Sequence, residues 1–370
     1  MQAIHLTTYT PTPTTTLHPT TIPLPHPPGP SEALIKISHS ALNHVDLLYA
    51  GGKHQNNTSS LITPPFTLGL EFAGTIVALG HRTYPYNTST STSTSARDNP
   101  EGLQIGEKVF GAALGAFAEY IVVPLRAVRR VPVAAGWGAE DAAGLAGTAT
   151  VAYGAVVVRG GVGRGEGKGQ WVLVHGAAGG IGVYAVQIAR ALGARVIAGV
   201  RNLGDQRKVG MLRGLGVEGV VETGGDEGWE EEVRRITGGR GVDVVIDNVG
   251  LVRGSLRCLR GIGGRIVLVG FAGREGVMEE VSVNRILLRQ AVVVGYRYGD
   301  TDRKNPEETR QIWNGLMSLI ETGAIKPVTY EKRYHGLSSV RDAMADLQAR
   351  KIYGKAVIYI EENGKGRAAL

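Results

Sequence analysis

Gly179, Gly180 and Gly182 stand in the run QWVLVHGAAGGIGVYAVQIARAL, from Gln170 to Leu192. Residues without side chains let the backbone turn sharply and come close to a ligand. If a helix starts there, its free N–H groups and its dipole favour an anion such as a pyrophosphate. The elements around the glycines suit that chemistry. Trp171 to Val174 is a short apolar run, and Val183, Val186, Ile188, Ala189 and Leu192 recur at helical spacing. A second apolar run, Arg195 to Val200, follows a Gly193-Ala194 turn. Strand, glycine turn, helix and strand is the order a dinucleotide site requires. The spacing departs from G-x-G-x-x-G, because Ala177 holds the place of the first glycine.

The second strand speaks to which dinucleotide. Sites for NAD carry an Asp or Glu at its end, bonding the ribose hydroxyls. Here that end reads Ala198-Gly199-Val200-Arg201-Asn202, with no acid. Arg201 suits a 2′-phosphate, and Arg207 or Lys208 can assist. The expectation is a strong preference for NADPH.

From Gln170 onward, strands and helices alternate. Strands are expected at Trp171–His175, Arg195–Val200, Gly219–Val221, Val242–Asp247, Arg265–Val269 and Val292–Val294. Helices are expected at Trp229–Ile236 and Ser255–Leu259, among others. This rhythm predicts an α/β fold with a doubly wound parallel sheet of about six strands. Before it, Glu32 to Ser38 alternates polar and apolar residues, and Leu68–Gly80 and 105–132 read as further strands of a compact β-rich domain. Ser40–Lys53 reads as a short helix or turn ended by Gly51-Gly52, and Ala139–Val158 as helical. Thr10–Pro30 is expected to be extended or irregular, because repeated proline excludes helix. Tyr86–Ala96, almost pure Ser and Thr, reads as a disordered loop within an insert at 81–104. Arg310–Thr322 and Ser338–Ala349 read as amphipathic helices and Lys355–Ile360 as a closing strand.

The chain of 370 residues is long enough for about two domains. Hydrophobic residues make up 43% and charged ones 20%, which suits a protein with a full core. No apolar run approaches the roughly 20 residues that cross a bilayer. The N-terminus has no basic-then-apolar leader, and no Lys or Arg precedes Lys36, so a cytosolic protein is expected. The net charge is +7, yet no block of five basic residues occurs, which makes a dedicated nucleic-acid site a minor reading. Cys258 is the only cysteine and lies in an apolar stretch. It excludes an intramolecular disulfide and any multi-cysteine zinc site.

In order, the segments LNHVDLLYAGG, LGLEFAGTIVALG, IGEKVFG, GAFAEYIVVP, VLVHGAAGGIG, GVDVVIDNVG, GGRIVLVGF and GAIKP…YGKAVIYI resemble the zinc-independent quinone oxidoreductase (zeta-crystallin-like) branch of the medium-chain dehydrogenase/reductase superfamily. The resemblance implies a Rossmann domain at 145–299, inside a GroES-like catalytic domain split between 1–144 and 300–370. It implies a nicotinamide neighbour at Thr148, pyrophosphate contacts at Gly179, Gly180, Ile181 and Gly182, and further cofactor contacts at Asn248, Val249, Gly270, Phe271, Ala272 and Lys355. It places Asn43 near the nicotinamide, where its amide can bond a carbonyl oxygen. Some members carry a tyrosine two positions after the Asp that matches Asp46; here that position is Leu48, and the candidate is its neighbour Tyr49. Zinc relatives place a Cys ligand shortly before that Asp, and none stands here; no metal ligand is expected. The implied reaction is hydride transfer from NADPH to a quinone or to the C=C of an α,β-unsaturated carbonyl, including that of an accessory enoyl reductase. A different class, an NADPH-binding protein of low turnover in a structural, sensing or RNA-binding role, fits the same fold. The family also implies a homodimer by edge pairing, with Ala291–Val294 either that edge or a core strand.

Overall fold

The structure, a computed structural model, describes residues 1–80, 99, 101–163, 169–225, 228–273 and 279–360. The Ser/Thr-rich run 86–96 lies outside them. The chain divides into two compact units: Met1–Gly147 with Pro327–Leu370, and Thr148–Lys326.

The second unit is built on a six-stranded, wholly parallel sheet. Its order is Gly219–Glu222, Arg195–Val200, Trp171–Val174, Val244–Asp247, Arg265–Leu268 and Val292–Gly295. The chain starts in the middle, winds outward one way, then returns to wind the other. This is the doubly wound topology, and the order reverses between Trp171–Val174 and Val244–Asp247. Those two strands are buried along their length, as continuous apolar runs in a two-sided parallel sheet must be. The helix Gly180–Ala191 fully buries Val183, Val186, Ile188 and Ala189. Each buried Val or Ile contributes about 1.5–3 kcal/mol.

The sequence places 300–326 with the first domain, but these residues pack in the second unit. The reason is the helix Pro306–Glu321, whose apolar face needs cover. Ile312, Leu316 and Ile320 are buried, and a Cβ on Gly315 would stand 1.9 Å from the Tyr153 hydroxyl. Arg159 and Glu308 close the contact at 2.7 Å. The expected helix over 139–158 is broken into Ala139–Ala142 and Ala149–Tyr153, the latter running into a π-helical turn at Gly154–Arg159.

The first unit holds a mostly antiparallel sheet in the order Tyr334–His335, Val357–Tyr359, Glu32–Ala41, Glu71–Leu79, Lys108–Ala112 and Val128–Arg130, with Tyr120–Pro124 also paired to Glu32–Ala41. Alternation in Glu32–Ala41 buries Ala33, Ile35 and Ile37 and leaves Lys36 exposed. The C-terminal strand Val357–Tyr359 pairs with the far end of that same strand, so the sheet is complete only with the last part of the chain. The helix Val340–Gln348 adds Val340, Ala343 and Met344 to the core. One turn of helix, Pro13–Thr16, forms where an irregular segment is expected. Pro13 stands at the first helical position, where its missing N–H costs nothing.

Candidate functional site

In the second unit, the chemistry gathers at the carboxyl ends of the parallel strands. Gly176 leaves the first strand at φ +58°, and a Cβ there would meet Asn248 Oδ1 at 2.4 Å. The sharp turn thus comes one residue before the place of the motif's first glycine, which is why Ala177 is tolerated. Gly182 is buried, and a Cβ on it would stand 2.3 Å from the Gly176 carbonyl oxygen. Gly179 is exposed and begins the helix without a side-chain cap, and no acidic residue stands in the first turn. Gly180 and Ile181 form that first turn. The end of a 12-residue helix with open N–H groups fits an anion.

The loops beside it are tied to one another. Fully buried Asp247 accepts the N–H groups of Val249, Gly250 and Leu251 at 2.7–2.9 Å, which fixes the turn that carries Asn248 and Val249. Ala272 N–H donates to the Asn248 carbonyl at 3.1 Å, and Gly273 N–H to that of Val249. Gly270 lies in the same turn, and Phe271 is 48% exposed there. His175 bonds Ser255 Oγ through Nε2 at 2.9 Å and meets Trp229 edge-on. Burial lowers its pKa.

Arg201, at the end of the second strand, is exposed and makes no ion pair among the described residues. The two expected helpers are engaged: Asp205 pairs with Lys208 at 3.1 Å and with Arg207 at 3.9 Å. A carboxylate absent from the sequence reading stands nearby. Glu222 ends the third strand in register with Val200 and accepts Leu203 N–H at 2.9 Å. Thr148 is buried at the start of this unit, heading the helix Ala149–Tyr153.

In the first unit, Asn43 and Lys355 meet around Glu71. Lys355 Nζ donates to Glu71 Oε2 at 2.6 Å, Asn43 Oδ1 at 2.8 Å and the Leu42 carbonyl at 3.1 Å, so its three hydrogens are all used. Asn43 Nδ2 donates to Glu71 Oε2 at 2.8 Å and to the Ala41 carbonyl at 3.3 Å. Gly147 N–H donates to Glu71 Oε1. Tyr49 belongs to a different cluster. It is 5% exposed, its hydroxyl accepts from Asn56 Nδ2 at 2.8 Å, and its ring lies 4.4 Å from that of His54. Glu71 lies inside the apolar run LGLEFAGTIVALG, where nothing nearby in sequence can pair with it. The partner lies 284 positions away, beyond any local pattern.

The residues present do not fit a zinc ion. The Asn43 amide oxygen is taken by the Lys355 ammonium, Cys258 is buried in the other unit's core, and the described residues contain no group of three metal-binding side chains.

The alcohol dehydrogenase GroES-like domain family matches residues 29–133, and the zinc-binding dehydrogenase family matches 180–320. A mycocerosic acid synthase-like polyketide synthase of Mycobacterium tuberculosis is 26% identical over 93% of this chain, which spans 15% of that protein's length. A quinone oxidoreductase-like protein 2 homolog of Nematostella vectensis is 27% identical over 89% of this chain and 82% of its own. A mycobacterial protein solved in complex with NADPH superposes with a TM-score of 0.79 at 27% identity, covering 97% of this chain and 99% of that one. Together these matches support the quinone oxidoreductase branch of the medium-chain dehydrogenase/reductase superfamily. No helix among the described residues is long and apolar enough to cross a membrane.

Proposed function

We propose that the protein reduces a quinone or the C=C of an α,β-unsaturated carbonyl with NADPH. One observation carries the cofactor choice: Arg201, without an ion pair among the described residues, follows the strand next to an uncapped helix N-terminus, where an NAD site would hold an acid. Gly179, Gly180, Ile181 and Gly182 would receive the pyrophosphate. Asn248, Val249, Gly270, Phe271 and Ala272 would line its course, with Thr148 as a further contact. Bound NADPH would supply a hydride. A mycobacterial relative holds that cofactor, which supports the reading.

The substrate class rests on the first unit. Its donors do not suit a metal, which favours an acceptor that itself spreads the incoming charge, as quinones and enones do. Asn43 would orient the acceptor's carbonyl through the hydrogen now on its longer, 3.3 Å bond. Lys355 would hold Asn43 in place. Tyr49, bonded to Asn56 in the core, would shape the protein around the substrate. The polyketide synthase match makes enoyl thioesters one class to test, although this chain spans only a small part of those proteins. A homodimer belongs to the same reading, because Val283, Leu287 and Leu288 are mostly exposed close in sequence to Val292–Gly295, the last strand of the sheet.

The test is NADPH oxidation against a panel of quinones, enones and enoyl thioesters, with product analysis. Turnover with at least one acceptor class supports the proposal. Tight NADPH binding with no oxidation by any of them would replace it with the low-turnover binding role.

A further inference from the structure

Asp46 is the third residue of the helix His44–Ala50, and it is fully buried. Its Oδ2 accepts Asn43 N–H at 2.8 Å, while its Oδ1 has no hydrogen-bond partner among the described residues. Two other charged groups face it: Glu71, fully buried, and Lys355, 3% exposed. His44, on the same helix, is exposed. The one ammonium of this group is matched by Glu71, whose oxygens also take Asn43 Nδ2 and Gly147 N–H. Asp46 is therefore left without a counter-charge and with one oxygen unbonded. An isolated buried carboxylate costs several kcal/mol, and such a group takes a proton instead.

We infer that Asp46 is a protonated, neutral carboxylic acid in the folded protein, and that it acts as a positioning residue for Asn43 by keeping the Asn43–Glu71–Lys355 node at zero net charge. When Asp46 loses its proton, a second negative charge enters the node beside Asn43, with no cation left to meet it. The pKa direction agrees. Burial raises it to about 7, against the lowering effects of the Asn43 N–H bond and Lys355, with Glu71 raising it further. This inference does not depend on the cofactor reading, so it is tested on the full chain without NADPH.

The sign follows from proton linkage. A carboxyl with a raised folded pKa contributes stability that is complete below its unfolded pKa and is lost as pH rises through the folded pKa. Asp46→Asn keeps the shape and the acceptor but cannot ionise. Across about pH 4 to 7, the ratio of wild-type to variant unfolding constants should grow about tenfold per pH unit, then level off. A ratio that stays flat across that window would overturn the inference. An infrared titration of the wild type gives a second readout that does not depend on the variant folding. A protonated carboxyl band should persist above pH 5 and fade with a midpoint near 7. Glu71→Gln should move that midpoint down, because Lys355 then becomes free to pair with Asp46. Absence of the band above pH 5, or a midpoint unmoved by Glu71→Gln, would refute the assignment.

Discussion

Lys355 Nζ lies 2.6 Å from Glu71 Oε2, an ion pair between a residue near the end of the chain and one in its first fifth. Neither side chain is more than 4% exposed. The pair lies where the C-terminal strand returns to the N-terminal sheet, and it fixes both atoms of the Asn43 amide.

Removing one partner should cost far more than removing both. Lys355→Met leaves Glu71 buried without its partner, and a buried pair broken in this way loses about 3–5 kcal/mol. The double variant Lys355→Met with Glu71→Gln should recover a large part of that loss. Urea unfolding of the two singles and the double checks it; additive losses would show that the pair is not coupled.

The glycines of the turn should separate fold from binding. Gly182→Ala pushes a methyl to within 2.3 Å of the Gly176 oxygen and should cost about 1–3 kcal/mol of stability. Gly179→Ala meets only that same oxygen at 3.4 Å, so stability should hold to within about 0.5 kcal/mol. Its methyl stands on the exposed face offered to the pyrophosphate, and NADPH affinity should fall about tenfold, or 1.4 kcal/mol. Calorimetric titration alongside unfolding distinguishes the two effects.

Discrimination between NADPH and NADH should rest on Arg201 alone among the three candidate cations, since Asp205 engages Lys208 and Arg207. Arg201→Ala should weaken NADPH by about 1.5–3 kcal/mol, the range for a hydrogen bond to a charged group, and leave NADH unchanged. Glu222 stands on the neighbouring strand end, in register with Val200. Glu222→Gln keeps an acceptor for Leu203 N–H and should tighten NADPH by a screened surface term of about 0.2–1 kcal/mol. Dissociation constants for both nucleotides, measured at two salt concentrations, decide the matter.

His175 gives the opposite pH slope to Asp46. Burial lowers its pKa, so the neutral ring is favoured in the folded state. Its contribution is present above the unfolded value of about 6.5 and is lost as pH falls. His175→Asn should narrow its stability gap to wild type as the buffer goes from about pH 7 to 5. A gap independent of pH would mean that His175 does not titrate differently on folding.

Much of the second unit was legible in advance. The strands of a two-sided parallel sheet must be apolar runs, and the helices between them must carry periodic faces, so Arg195–Val200 and Trp229–Ile236 were found with their observed bounds. The glycine turn was legible because only residues without side chains fit its close contacts. Arg201 followed from the same local logic.

What the linear chain determined, then, is whatever depends on neighbours in sequence: the strand–turn–helix order, the missing acid at the second strand's end and the missing zinc thiols. Tertiary structure alone decided that Asn43, Glu71 and Lys355 form one node, that 300–326 packs in the second unit, and that Asp46 is left without a counter-ion. The physical reason is common to all three. Burial removes water as a partner, and a charged or apolar group must then be satisfied by whatever the fold brings beside it, however distant in sequence.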